Sequence, residues 1–404
     1  MKVIAEIFSQ GEEVVSGQTV DSNAAWLSQN LNELGFVVKR HTAVGDCLED
    51  LVALIQEIAV RADCCICTGG LGPTIDDLTA EAASRASKQD LKFDPTALQH
   101  IETYFAKRQR SMPEINRKQA YFPTQALRID NTVGTAPGFA MQIQRCWFVF
   151  LPGVPSEMKV MFGAVKAQLL GRFSLQPDCL VTLRSVGIGE SAIQQRLEKL
   201  VLPNTVQLGF RAAVDEVQTK LLFPAAFAVD QRMNWTNQVA SLIGDAVFAI
   251  DTPEQTQGDL PTVIGRQMTE RGLTLSVIET ASQGLIAAKC IGHDWLRFVQ
   301  FSANIAITAE RWGCTYFIND HAQSAAALAK HLQQRQEIDW QLVQLYQGSM
   351  IAPDQPIVLY NALQTRDGLF QSTMNVAGRA QTKQNQAAVL ALDLLRRTLQ
   401  TTCL

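Results

Sequence analysis

Short apolar runs alternate with longer amphipathic segments through the first 170 residues, and this alternation leaves few folds open. "KVIAEIFS" reads as a strand, and "NAAWLSQNLNELGF" carries Ala24, Leu27, Leu31 and Leu34 at helical spacing before a capping Gly35. "VVKRHTAVG" is the next strand, "CLEDLVALIQEIAVRA" the next helix, and "DCCICTGG" a third, buried strand. "CWFVFLPGVPSEMKVMF" repeats the order of strand, tight turn and helix. Strands joined by helices over short connections predict a largely parallel sheet with helices on both faces.

Four hundred and four residues exceed one ordinary domain, so two or three units are expected. Past residue 172 the texture shifts to a small α+β pattern, "LVTLRSVGIGESAIQQRLEKL" followed by "VQLGFRAAVDEVQTKLLFP". "DTPEQTQGDLP" (251–261) is polar and rich in turn formers, the best linker candidate, and a last α/β unit follows. These boundaries give units 1–172, 173–252 and 258–404. A net charge of -4 gives no bias toward nucleic acid or anionic membrane, and no apolar run approaches the roughly 20 residues of a membrane span. The start reads as a strand, not a cleavable signal, so a cytoplasmic location is expected. Nine cysteines are scattered without paired spacing, and Cys64, Cys65 and Cys67 read as small core residues.

"TGGLGPTIDDLT" (68–79) follows the third strand, where an α/β sheet usually holds its ligand. Gly69, Gly70 and Gly72 allow a tight turn that brings backbone N–H groups to an anion, and the next helix N-terminus favours one too. No G-K-[ST] follows, and the spacing is not G-x-G-x-x-G. Asp76 and Asp77 would repel a phosphate unless a divalent ion such as Mg²⁺ stood between. Alternatively Asp76, Asp77 and Thr79 cap the helix, and spacing alone leaves both open.

The stretches "GEEVVSGQTVDSNAAWL", "VGDCLEDL", "TGGLGPTIDDLT", "NRKQAYFP", "NTVGTAPGF" and "LPGVPSEM" resemble the N-terminal domain of the CinA family, related to MoaB/Mog molybdopterin-binding proteins. The resemblance implies a three-layer, mostly parallel α/β domain that binds a nucleotide or molybdopterin at the TGG loop with a divalent metal (Mg or Co) and possibly a monovalent cation. It also implies hydrolysis of a nucleoside diphosphate sugar of the ADP-ribose type. By position, Thr68, Gly69, Gly70 and Gly72 would bind phosphate; Asp77 and Asp46 would act as metal-linked acids, with Asp76 beside them. Glu12, Asp21, Gly153 and Ser156 would lie at the same sheet edge as substrate-binding residues, though Asp21 also suits a helix cap and Asp46 a turn. Thr132 and Gln10 depart from the family pattern without removing a glycine or an acid.

The middle segment resembles the KH-like CinA unit, but "GIGES" brings an acid and no basic cluster, so no nucleic-acid role is expected. The last unit resembles the CinA C-terminal domain, whose active members deamidate nicotinamide mononucleotide with the serine of E-S-C-T-G-G and a later lysine. Here the stretch is "ETASQG", with Thr280 at the serine position; "FSANIA" puts Ala306 at the lysine position, and "YQGSMIAPDQP" replaces the glycine-rich loop. These changes imply a retained fold whose deamidase chemistry is lost. The alternatives are residual deamidase activity at Thr280, or a non-catalytic nucleotide- or molybdopterin-binding or scaffold protein. The family resemblance further implies a homodimer, and a small nucleotide with no membrane is expected as partner.

Overall fold

The computed structural model describes residues 2–303, 305–335 and 337–401. They form two compact units, Met1–Asp178 and Cys179–Leu404. The first contains β1 (Ile4–Gln10), α1 (Glu12–Val15), α2 (Ser22–Leu34), β2 (Val37–Val44), α3 (Leu48–Arg61), β3 (Cys64–Thr68) and α4 (Thr79–Ser87). It continues through β4 (Leu91–Phe93), α5 (Pro95–Lys107), β5 (Tyr121–Pro123), β6 (Leu127–Ile129), β7 (Gly138–Ile143), β8 (Cys146–Leu151) and α6 (Pro155–Arg172).

Six strands line up as β2-β1-β3-β8-β7-β6. The first four run parallel, and β7 and β6 are added antiparallel. Alternate residues of β3 supply two different cores, as a pleated strand requires. Cys65 and Cys67 pack with Leu51 and Ile55 of α3 and Ala82 of α4. Cys64 and Ile66 pack with Leu27 and Leu31 of α2 and Phe162 of α6. Helices therefore cover both faces of a mostly parallel sheet, the expected three layers. All three of these cysteines are buried free thiols, and burial pushes each one's pKa up.

The second unit holds two further sheets. β9 (Cys179–Ser185), α7 (Glu190–Leu197), β10 (Gln207–Ala212), β11 (Val217–Phe223), α8 (Val229–Ile243) and β12 (Val247–Asp251) build an antiparallel sheet in the order β10-β11-β9-β12. Then come α9 (Leu260–Glu270), β13 (Leu275–Glu279), α10 (Leu285–Lys289), β14 (Leu296–Phe301), α11 (Ile305–Trp312), α12 (His321–Arg335), β15 (Trp340–Gln347), β16 (Ile357–Gln364), β17 (Leu369–Val376) and α13 (Ala380–Thr401). Their sheet runs β14-β13-β15-β16-β17, parallel around β13 and antiparallel beyond β15. The polar stretch after β12 lies inside this unit. Asp251 there accepts from Gln257 N at 2.6 Å, and Asp259 caps α9 by accepting from Thr262 N at 3.0 Å. No helix among the described residues is long and apolar enough to cross a membrane.

Candidate functional sites

The TGG loop leaves the end of β3 through two glycines that only glycine fits comfortably. Gly69 has φ 100° and Gly70 φ 65°, and a Cβ on Gly69 would stand 2.3 Å from the Gln10 carbonyl oxygen. Gly69 N donates to Leu151 O at 3.0 Å, so the loop is tied across to β8. Thr79 closes it: its backbone N–H donates to Gly70 O at 3.1 Å and its hydroxyl to Gly69 O at 2.9 Å. The turn after β8 lies close by, since a Cβ on Gly153 would meet Gly69 Cα at 3.4 Å. Pro155 opens α6 as its first helical residue, next to Ser156.

The acids expected at this edge converge on one end of the sheet but are engaged by the protein itself. Asp46 accepts from Gln10 Nε2 at 2.8 Å and from Glu12 N at 3.1 Å. Asp77 accepts from Thr74 N at 2.8 Å, which folds the loop on itself. It does not cap α4, whose N-cap Leu78 makes no side-chain cap bond. Asp76 is exposed; the Thr74 hydroxyl beside it, then its own backbone N–H and Lys118, hold its carboxyl below the usual range. Asp21 is the N-cap of α2 and accepts from Ala24 N at 2.8 Å. Thr68 is buried, its hydroxyl 3.3 Å from Ser9 Oγ.

A resident divalent ion needs several oxygens converging on it. Among the described residues no group of three or more His, Cys, Asp or Glu side chains could hold a metal. Asp46 and Asp77, expected to hold a metal with Asp76, are engaged by the protein's own N–H groups, and no reaction step is routed through a metal. Three site residues escaped the sequence reading. Gln10 bonds Asp46 and, at 3.2 Å, the Asp76 carbonyl; Lys118 donates to Thr74 O at 2.6 Å; Gln119 donates to Leu71 O at 3.1 Å. The last two sit in "NRKQAYFP", so a cation 44 residues downstream of the loop was visible as a motif but not as a partner.

The second candidate site is the turn after β13. Thr280 is 5% exposed, and its hydroxyl donates to the Gln344 carbonyl at 2.9 Å. Ser282 N and Oγ both reach Gln344 Oε1, at 2.9 and 2.7 Å, and the Ser282 hydroxyl also meets Glu279. Glu279 is fully buried, with one carboxylate oxygen left without a partner. Gln283 and Gly284 turn the chain through positive φ, 51° and 86°. Lys289 faces Asp215, both carboxylate oxygens lying 2.8 Å from its ammonium. Ala306 lies in α11, and Asn304 falls outside the described residues.

Residues 6–172 match the family described as "Probable molybdopterin binding domain". A CinA-like protein of Shewanella frigidimarina is 31% identical over 98% of this chain and 95% of its own length. A CinA-like protein of Escherichia coli (strain SMS-3-5 / SECEC) is 41% identical over 70% of each. A Shewanella oneidensis protein named nicotinamide-nucleotide amidohydrolase PncC is 37% identical over 71% of this chain and 67% of its own. The solved CinA structure from Thermoplasma acidophilum is 32% identical over 42% of this chain and 98% of that one, with a TM-score of 0.39. The amidohydrolase name corrects the sequence-based expectation. It points to amide hydrolysis and away from hydrolysis of a diphosphate sugar at the TGG loop, while supporting the coarser expectation of an enzyme. Matched from end to end by one such relative, the chain belongs to the CinA-like protein family.

Proposed function

We propose that this protein hydrolyses the carboxamide of a nicotinamide nucleotide, with Thr280 as nucleophile. The observation that carries the reading is the position of Thr280: its hydroxyl stands at the C-terminal end of buried β13, at the head of a tight turn into a helix. In an α/β sheet this is where ligands are met. The reaction runs by acyl transfer. Thr280 Oγ1 bonds to the amide carbon, the C–N bond breaks, and the hydroxyl proton leaves with the nitrogen as ammonia. Water then cleaves the ester, restoring the hydroxyl and releasing the acid. Gln344, whose carbonyl accepts the Thr280 hydroxyl, sets the resting direction of that O–H bond. Attack requires the bond to Gln344 to open, because a carbonyl oxygen is no base.

The test is ammonia release from nicotinamide mononucleotide by the purified chain. Thr280→Ala is expected to lower the rate at least about 100-fold, the scale of losing a covalent nucleophile, while Thr280→Ser retains it. Absent ammonia, or a rate unchanged in Thr280→Ala, rejects the reading.

A second reading is non-catalytic binding of a nucleotide or molybdopterin at the TGG loop, favoured by the near-complete burial of Thr280. Binding without turnover, lost in Gly69→Ala, is its signature. In either reading we place the protein in the cytoplasm, since the eight described cysteines are unpaired thiols, as in reducing compartments. The homodimer is proposed on family resemblance, with sedimentation velocity as its check.

A further inference from the structure

We infer that the second unit carries a small-molecule pocket distinct from the Thr280 turn, suited to a neutral, carboxamide-bearing compound with an apolar body. A cavity of about 290 Å³ is lined by the residues joining β10 to β11 and by parts of α9, α10 and α13. That is room for about ten waters at liquid density. Thr280 does not line it. Phe248, Leu260 and Val389, each under 10% exposed, supply apolar wall.

The polar wall decides the ligand's chemistry. Arg184 donates through Nε to Asp251 at 2.7 Å and through Nη1 to Glu216 at 2.9 and 3.1 Å; among the described residues its Nη2 donates to nothing. Lys289 bonds both oxygens of Asp215, which leaves one of its three N–H groups without a described acceptor. Asp259 uses Oδ1 for Thr262, and its Oδ2 accepts from no described donor. The wall thus offers donors and an acceptor together. Two cations face three carboxylates (Asp215, Glu216, Asp259), so the lining carries a net charge of about -1 at neutral pH.

A carboxylate ligand would add to that negative charge and leave Asp259 unserved. An ammonium would offer Arg184 and Lys289 no acceptor. A carboxamide presents one carbonyl acceptor and two N–H donors without charge, and a ring behind it covers the apolar wall. Asp215 and Glu216 are already paired with Lys289 and Arg184, so a neutral ligand leaves those two pairs intact while its N–H groups serve the unpaired Asp259.

Titration calorimetry of the full chain with benzamide, benzoate and benzylamine tests this. Benzamide is expected to bind at least tenfold more tightly than either charged analogue. Val389→Phe, which fills the apolar side, is expected to weaken it at least tenfold. Lys289→Met, at the other wall, serves as a second variant with the same expected weakening if Val389→Phe fails to fold. Three results overturn the proposal: no benzamide binding at millimolar concentration, benzoate or benzylamine binding as tightly, or benzamide binding unaffected in a folded pocket variant. Loss of binding in Thr280→Ala would move the ligand to the Thr280 turn and also overturn it.

Discussion

Gln10 Nε2 donates to the Asp46 carboxylate at 2.8 Å, joining the end of β1 to the turn after β2. The same amide reaches the Asp76 carbonyl at 3.2 Å, and its oxygen receives the Thr79 hydroxyl. One side chain, 5% exposed, thus ties three strand ends around the TGG loop. Gln10→Ala would take one hydrogen bond from each of Thr79 and Asp46, which keep Gly69 O and Glu12 N as partners. Removing one partner of a buried hydrogen bond costs about 1–3 kcal/mol. The expected outcome is a lower urea midpoint for the unfolding step of the first unit, with Gln10→Glu milder than Gln10→Ala toward Thr79 but repelled by Asp46. An unchanged midpoint in Gln10→Ala would show the amide to be incidental.

Gly69→Ala is expected to be worse. The φ of 100° disfavours any side chain, by about 1–2 kcal/mol for left-handed backbone, before the new Cβ meets the Gln10 carbonyl. A melting curve matching the parent's would sink the argument. Gly72→Ala gives an internal comparison, because its Cβ would meet the Asp77 carboxylate and not backbone.

The sequence made the loop, its glycines and its place after β3 legible, because each is a local signal: a buried apolar run, then positive-φ residues, then a helix. The capping of α2 by Asp21 and Gly35 was legible for the same reason. Gln10 was visible only as a departure from a family pattern, and its partners at 46 and 79 lie 36 and 69 residues away. Gln344 gave no signal at all, since a polar residue inside an apolar strand acquires its role only when Ser282 and Ala387 arrive. The protein's own hold on the carboxylates expected to bind a metal was hidden for a related reason. Spacing displays acids, but not the backbone N–H groups of Glu12 and Thr74 that already hold them.

Glu6 and Arg61 test the electrostatics of the first unit. They form a two-pronged pair, Nε–Oε1 and Nη2–Oε2 both 2.9 Å, with Glu6 only 2% exposed. The hydrogen bond that Arg61 donates to Glu6 is the largest cause raising the Arg61 pKa. Arg61→Met leaves a buried carboxylate without its cation, which costs about 3–5 kcal/mol. The double variant Glu6→Gln with Arg61→Met is expected to recover much of that loss in a denaturant titration; equal single and double losses would contradict it.

Acid stability has its own marker in Asp63. Burial pushes its pKa up, but the Ile4 N–H at 2.8 Å and Arg145 outweigh this, and the pKa lies below its ordinary 3.8. A carboxyl with a lowered folded pKa stabilises above the unfolded value and loses that contribution as pH falls through the folded one. Asp63 therefore supports the fold fully above about pH 4, and that support declines below it until pH has fallen through the lowered folded pKa. Asp63→Asn should flatten the fall in melting temperature below that pH, and an unaltered acid limb would remove Asp63 from the account.

Lys383 is fully buried in the first turn of α13, its ammonium donating to the carbonyls of Ser349, Ala352 and Gln355 at 2.8, 2.6 and 2.7 Å. Those three acceptors lie between β15 and β16, and the ammonium they surround ties that loop to α13. Gln384 beside it donates to Ser282 O at 3.1 Å, and Asn385 to Asp215 at 2.7 Å, so the same helix turn also holds the Thr280 turn and the β10–β11 connection. Lys383→Met keeps the stem but removes all three donors. Thermolysin is then expected to cut at Met350 or Ile351 at least about tenfold faster, since local opening governs cleavage in native proteins. Lys383→Arg retains donors and should fall between the two. Equal cleavage rates in Lys383→Met and the parent would mean the loop holds its shape without the ammonium.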